Sequence, residues 1–221
     1  MKARRVQPSQ RVDQVANWLK WPVAVVAILL LPYSVLASFD LLKEIVSAPK
    51  PVLPLLIGLA VYVTLWWRFF RRPIFGTFLS TLEHELTHAL FAIVTFHKVT
   101  GLRATWRSGG HMTYQGPGNW LITVAPYFFP TVCMFILAAS VFLPAVLRMP
   151  VGALMGATIG YHVTSTYRET HAGQSDLKKA GWLFCLLFLP TANIISYGML
   201  LSFSYGGTPQ MLAFLRAMFP W

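Results

Sequence analysis

Long apolar runs separated by short polar breaks organise this chain. Trp21 to Phe39 holds no charged residue, Pro51 to Trp67 stops at Arg68, Arg71 and Arg72, and Ile74 to Phe96 is apolar except for one polar cluster. Trp120 to Leu147 follows, where Pro126, Pro130 and Pro144 predict a bent or broken helix. Val151 to about Tyr167 and about Leu177 to Tyr205 complete the series, the last with a break expected at Pro190. About 20 apolar residues carry a helix across a hydrocarbon core roughly 30 Å thick. The pattern predicts an all-α membrane protein, a polytopic bundle of about six transmembrane helices. Trp18, Trp21, Trp66, Trp67, Trp120 and Trp182 fall near the ends of the runs, where an interfacial aromatic belt is expected. Val35-Leu36-Ala37 resembles a signal-peptide cleavage site, but the long charged lead-in and nearly full-length apolar run favour a retained anchor. Residues 1–20 then form a basic arm and residues 21–221 one membrane domain.

Two stretches are polar enough to be loops. Residues 97–118 alternate weakly around Leu102, Ala104 and Trp106, turn at Ser108-Gly109-Gly110, and resume with Met112 and Tyr114, which predicts a short β-hairpin. The second loop, 167–179, carries Glu169, His171 and Asp176.

Composition sharpens this picture. The chain of 221 residues is 56% hydrophobic and 11% charged, against roughly 25% charged in an average soluble domain, which excludes an ordinary soluble globule. The 18 Lys and Arg against 7 Asp and Glu give a net charge of +11. These charges sit at the edges of apolar runs, so a lipid bilayer is the expected partner and nucleic acid is not. Cys133 and Cys185 lie inside apolar runs and suggest neither a disulfide framework nor a thiolate metal cluster. With the N-terminus inside, ten of the 18 basic residues fall on the cytoplasmic side and eight opposite, a weak bias, and a six-span path then puts both polar loops outside.

Candidate chemistry lies in the third run, in Leu82-Glu83-His84-Glu85-Leu86-Thr87-His88. Ionisable groups at membrane depth are costly unless paired or metal-bound. His84-Glu85-Leu86-Thr87-His88 is an H-E-x-x-H: on a helix the two imidazoles share one face and can grip one metal, with Glu85 about 100° round, able to serve a bound water as base. Thr77, Thr81, His84, His88 and Thr95 form a polar stripe that excludes Phe78, Leu82, Leu86, Leu90 and Ile93. A catalytic zinc takes three protein ligands and an open position. The candidates for the third are Asp176, His171, Glu169, His162 and His111. Asp176 could instead cap the helix that follows. His162, Thr166 and Glu169 share a face that either supports the site or bonds between helices. His97 and His111, flanking the hairpin, read as interfacial or solvated, and Glu83 as supporting the ligands or pairing with an arginine.

The order of these features resembles the site-2 proteases, intramembrane zinc metalloproteases. His84-Glu85-Leu86-Thr87-His88 lies in an apolar helix, Gly109-Gly110 follows in a β-like loop, and Asp176 stands at the start of a later helix, so residues about 75–190 are covered. The usual Leu-Asp-Gly around the aspartate is replaced by Ser175-Asp176, as in a reduced bacterial branch of the family. The resemblance implies one catalytic Zn2+ on His84, His88 and Asp176, Glu85 as general base, and substrate binding near Gly109 and Gly110. It implies hydrolysis of a peptide bond in or near a transmembrane segment of a membrane-protein substrate, in the bacterial cytoplasmic membrane. A membrane-protein regulator or a homo-oligomer would supply selectivity that no soluble domain here provides. The competing reading is a non-proteolytic membrane protein, a metal-binding transporter or scaffold on the same fold.

Overall fold

The computed structural model describes residues 7–70, 76–106, 109–170 and 173–219. Eight α-helices and one two-stranded sheet follow one another: α1 (Pro8–Ser47), α2 (Leu53–Leu65), α3 (Gly76–Val94), β1 (Val99–Ala104), β2 (Gly110–Tyr114), α4 (Trp120–Val124), α5 (Thr131–Ser140), α6 (Arg148–Glu169), α7 (Ser175–Ala180) and α8 (Trp182–Ala217). A short 3-10 turn and a π-helical turn extend α2 into an apolar rod from Lys50 to Phe70.

Three of these helices are long and apolar enough to cross a membrane: α1, Lys50–Phe70 and α8. A fourth crossing is possible if Trp120–Tyr127 and Thr131–Ser140, which meet at 82°, make one broken span. This bend is the break expected around Pro126 and Pro130. The count of about six is not reproduced among the described residues, because α3 and α6 fall short. The polar face of α3, with Glu83, His84, Glu85, Thr87 and His88 all buried, lowers its hydropathy, and α6 is rich in glycine and hydroxyl residues.

Two helix pairs form the scaffold. α1 is 40 residues long, about 60 Å at 1.5 Å per residue, so its ends project well beyond a bilayer core. It starts with Pro8 at the first helical position and a capping box between Gln7 and Gln10. It runs parallel to α8: Lys20 lies over Phe184, Thr191 donates to the Ala27 carbonyl at 2.7 Å, and Gln210 donates to Glu44 at 2.6 Å. α8 does not break at Pro190, which sits within the helix; the kink falls at Gly206 and Gly207, the latter at φ 70°. Beyond it the chain doubles back and packs Phe214 on Gly198.

α2 and α6 run parallel and very close. A Cβ on Gly58 would collide with the Ala153 carbonyl and one on Gly156 with the Leu55 carbonyl. Between apolar helices in lipid, such contact through small residues supplies the packing energy that hydrophobicity cannot. Tyr62 and Thr164 add a hydroxyl pair at 3.1 Å.

The hairpin, α4 and α7 gather at one end of the scaffold, while α5 packs towards the other, with Cys133 and Leu137 among Ile45, Val52 and Phe214. Asn17 near the start of α1 donates to the Gly118 carbonyl, Trp120 Nε1 donates to the Ala16 carbonyl at 2.6 Å, and Trp21 meets Phe184 at the start of α8. The N-terminal end of α1, the hairpin and the segment before α8 therefore share one side. This corrects the alternating six-span path, which put the arm opposite both loops.

Candidate metal centre

α3 is built inside out relative to a lipid-facing helix. Leu79, Leu86, Ile93 and Val94 are exposed, while Thr81, His84 and His88 turn inward with Ser80, Glu83 and Thr87. The polar stripe read from the sequence is thus the face against the protein; the Thr77 side chain lies outside the described residues. The inward polar groups are held across to other helices: Thr87 and Thr131 hydroxyls meet at 2.5 Å, and Ser80 and Ser165 at 2.7 Å.

His84 and His88 point their Nε2 atoms at one oxygen of Asp176, each at 3.3 Å. The ligand atoms of all three lie within 4.8 Å of one another. The edge of a tetrahedron with bonds of about 2.0–2.1 Å is about 3.3–3.4 Å, so the two separations from Asp176 suit a zinc-sized ion. His88 uses its other nitrogen, donating from Nδ1 to the Ile122 carbonyl at 2.7 Å, which fixes the ring and leaves Nε2 with its lone pair inward. Ile122 lies in α4, whose start is capped by the Asn119 side chain accepting from Leu121 and Ile122.

Asp176 is the second residue of α7. Its side chain does not cap that helix; it faces the imidazoles instead. Burial works against its charge, but the hydrogen bonds and charges of His84 and His88 outweigh that and hold its carboxyl well below the usual carboxylate range.

The other candidate ligands stand apart. His111 is exposed on β2, opposite Arg103 in the ladder. His171 lies outside the described residues. His162, Thr166 and Glu169 line a small cavity beside His84 with Glu83 and Tyr127, so their shared face does meet the centre. Among the described residues Glu83 pairs with no arginine; its Oε1 lies 3.6 Å from His162 Nδ1. His97 is not solvated but buried, bonded to Asp13 at 3.0 Å, because Phe96 at φ 62° ends α3 and turns the chain back under it.

The predicted hairpin is present, antiparallel, with Leu102 opposite Met112 and Ala104 opposite Gly110. Met112 packs on Ala89 and Ala92 of α3. Gly110 presses on the site itself: a Cβ there would stand 2.5 Å from Thr81 Cγ2 and 2.6 Å from Glu85 Cγ. Gly109, at φ 77°, has open space around it. Sequence reasoning missed Tyr127 and Asp13; nothing in their local spacing marks either.

A protein-family model described as Peptidase M50B-like matches residues 55–170, more than half of the chain. No curated protein and no solved structure matches it.

Proposed function

The chain belongs to the Peptidase M50B-like family, within the site-2 proteases, and on that premise we propose that it is an intramembrane zinc endopeptidase acting on a membrane-protein substrate. The family is one of membrane metalloproteases that use zinc, and the apolar helices make this an integral membrane protein. The observation that carries the finer reading is the convergence of His84, His88 and Asp176 beside Glu85, with Gly110 closing over it.

His84, His88 and Asp176 would hold the zinc ion. When bound, it supplies a Lewis acid that polarises a peptide carbonyl and makes water nucleophilic near neutral pH. Glu85 accepts the proton of the attacking water and returns it to the leaving nitrogen. Burial of Glu85 keeps bulk water from competing for that proton. The hairpin offers strand edges on which an unwound substrate segment could pair, with Gly109 and Gly110 letting its backbone approach Glu85. The basic arm and the centre share one end of the scaffold, so positive-inside orientation opens the site to the cytoplasm, in keeping with a bacterial cytoplasmic membrane.

The test is metal content of the detergent-purified protein for wild type, Asp176→Ala and Glu85→Gln. About one zinc per chain in wild type and Glu85→Gln, with loss in Asp176→Ala, is expected for this ligand set. Well-folded wild type that takes up no metal would sink the protease reading and leave a histidine–carboxylate cluster of structural use only.

A further inference from the structure

We propose that Tyr127 is a further catalytic residue, whose hydroxyl donates a hydrogen bond to the scissile carbonyl oxygen as that oxygen becomes negative. This rests on the protease reading above. Tyr127 closes the 3-10 turn Ala125–Tyr127, in the bend between α4 and α5, and is only 2% exposed. Its ring stands edge-on to His84, 5.4 Å between centroids and 87° between planes. Asn193 of α8 donates to its backbone carbonyl at 3.0 Å, so the residue is anchored from the main chain.

The hydroxyl is the anomaly. Among the described residues it makes no hydrogen bond of good geometry, although the Gln174 side chain flanks it and the Asp176 charge reaches it. Buried hydroxyls are normally paired, and phenylalanine would fill the same space without leaving a polar atom stranded. Tyr127 and Glu83, whose Oε2 is also unpartnered, line one cavity of about 10 Å³ beside His84. That volume is about one water's worth. A donor fixed next to a ligand histidine, with no well-formed hydrogen bond among the described residues, is matched to an acceptor that arrives with substrate.

The step balances without any added reagent. The water oxygen bonds to the carbonyl carbon, the carbonyl π pair moves onto its oxygen, and the water proton passes to Glu85. Tyr127 keeps its proton throughout, sharing it with that oxygen, which is the arrangement of a preorganised oxyanion donor. When the pair returns, the carbon–nitrogen bond breaks and Glu85 delivers the proton to nitrogen.

The experiment uses the full chain in detergent, loaded with Co2+ so that its visible spectrum reports ligand binding. It is titrated with a dipeptide phosphinate carrying two apolar side chains, whose tetrahedral oxygen mimics the charged one, and with a hydroxamate of the same side chains. Tyr127→Phe is expected to weaken phosphinate binding about tenfold or more, as loss of one charge-assisted hydrogen bond requires. Hydroxamate affinity and Co2+ stoichiometry should stay at wild-type values, and the melting temperature should hold or rise. Equal phosphinate affinity in both proteins would remove Tyr127 from catalysis while the protease reading stands. A lower melting temperature in Tyr127→Phe would overturn the inference by showing that the hydroxyl has a structural partner. Wild type that binds neither probe would end the protease reading and this inference with it.

Discussion

The molecule contains two buried clusters of histidine and aspartate, and they are built to opposite ends. In the first, Asp13 accepts from Asn119 Nδ2 at 2.8 Å on one oxygen, and from the Gly118 N–H at 3.1 Å on the other, where His97 Nε2 also lies at 3.0 Å. His97 completes the cluster with Thr95 at its Nδ1, 3.0 Å away. Each buried polar atom in it has a partner within ordinary hydrogen-bond range. In the second, two Nε2 atoms crowd one oxygen of Asp176 at 3.3 Å, a long and shared contact. A saturated cluster has nothing left to give, and it serves as a clasp joining α1, the end of α3 and the cap of α4. An unsaturated one, with its lone pairs aimed at a common point, is built for a guest. Composition alone cannot tell them apart.

Exchanging the aspartates is the sharpest way to break this contrast. Asp176→Ala is expected to abolish stoichiometric metal uptake and to reduce any hydrolysis by at least about 10³-fold. The apo protein should stay folded, although it loses the contacts with His84 and His88 that hold the Asp176 carboxyl ionised. Calorimetry and metal analysis on the same sample check both halves. Loss of the fold instead would mean that the second cluster is also a clasp.

Asp13→Ala should do the reverse. It strands the His97, Asn119 and Gly118 donors inside the protein, at a cost of about 3 kcal/mol. For a chain of this size that is a fall in melting temperature of roughly 10 °C. Protein that remains folded should still hold about one metal per chain, because Ile122, which orients His88, is carried by α4 in the core. A variant that keeps its melting temperature but loses metal would show that the Asp13 cluster serves the site and not the fold.

The same contrast explains what could be read from the chain. The H-E-x-x-H was legible because its ligands sit one helical turn apart, and the inward polar stripe followed from the same period. Asp176 lies 88 residues from His88, so spacing left it one of five candidates, favoured but not fixed, until the family order singled it out. Asp13 and His97 are 84 residues apart and share no motif at all. The count of about six spans is not reproduced for a related reason: run length does not tell a helix that crosses lipid from one wrapped by protein. α3 can carry ionisable residues because α4, α5, α6 and the hairpin pack over them. Pro190 misled because helix neighbours tolerate a proline, whereas the bend at Gly207 needs a positive φ. Gly152, Gly156 and Gly160, spaced by four in α6, did announce the close approach to α2 but were read only as part of an apolar run.

Gly110 lies against the second cluster and tests how tightly it is framed. Gly110→Ala would drive its methyl into Glu85 and Thr81. Neither His84, His88 nor Asp176 need move, so metal content should hold. A displacement of about 1 Å in a catalytic group costs on the order of 10²-fold in rate, and hydrolysis of a membrane-peptide reporter should fall by that order. If the rate is untouched, Glu85 has slack that a general base in a fixed frame should not have.

The smallest expected effect separates histidine count from histidine placement. His111 is the one described histidine that is exposed, and it stands on β2 one residue from Gly110. It belongs to neither cluster: it bonds no carboxylate and shares no ligand set. It stands near enough to Glu85 for a weak electrostatic interaction, and its exposure leaves that interaction screened. His111→Ala should therefore leave metal content and melting temperature at wild-type values, with surface substitutions usually within about 0.5 kcal/mol. Hydrolysis should change by no more than about threefold, and raising salt should shrink even that difference. Loss of metal in this variant would mean that an exposed, unsaturated histidine can do what the buried ones are arranged to do. Saturation would then no longer distinguish a clasp from a site.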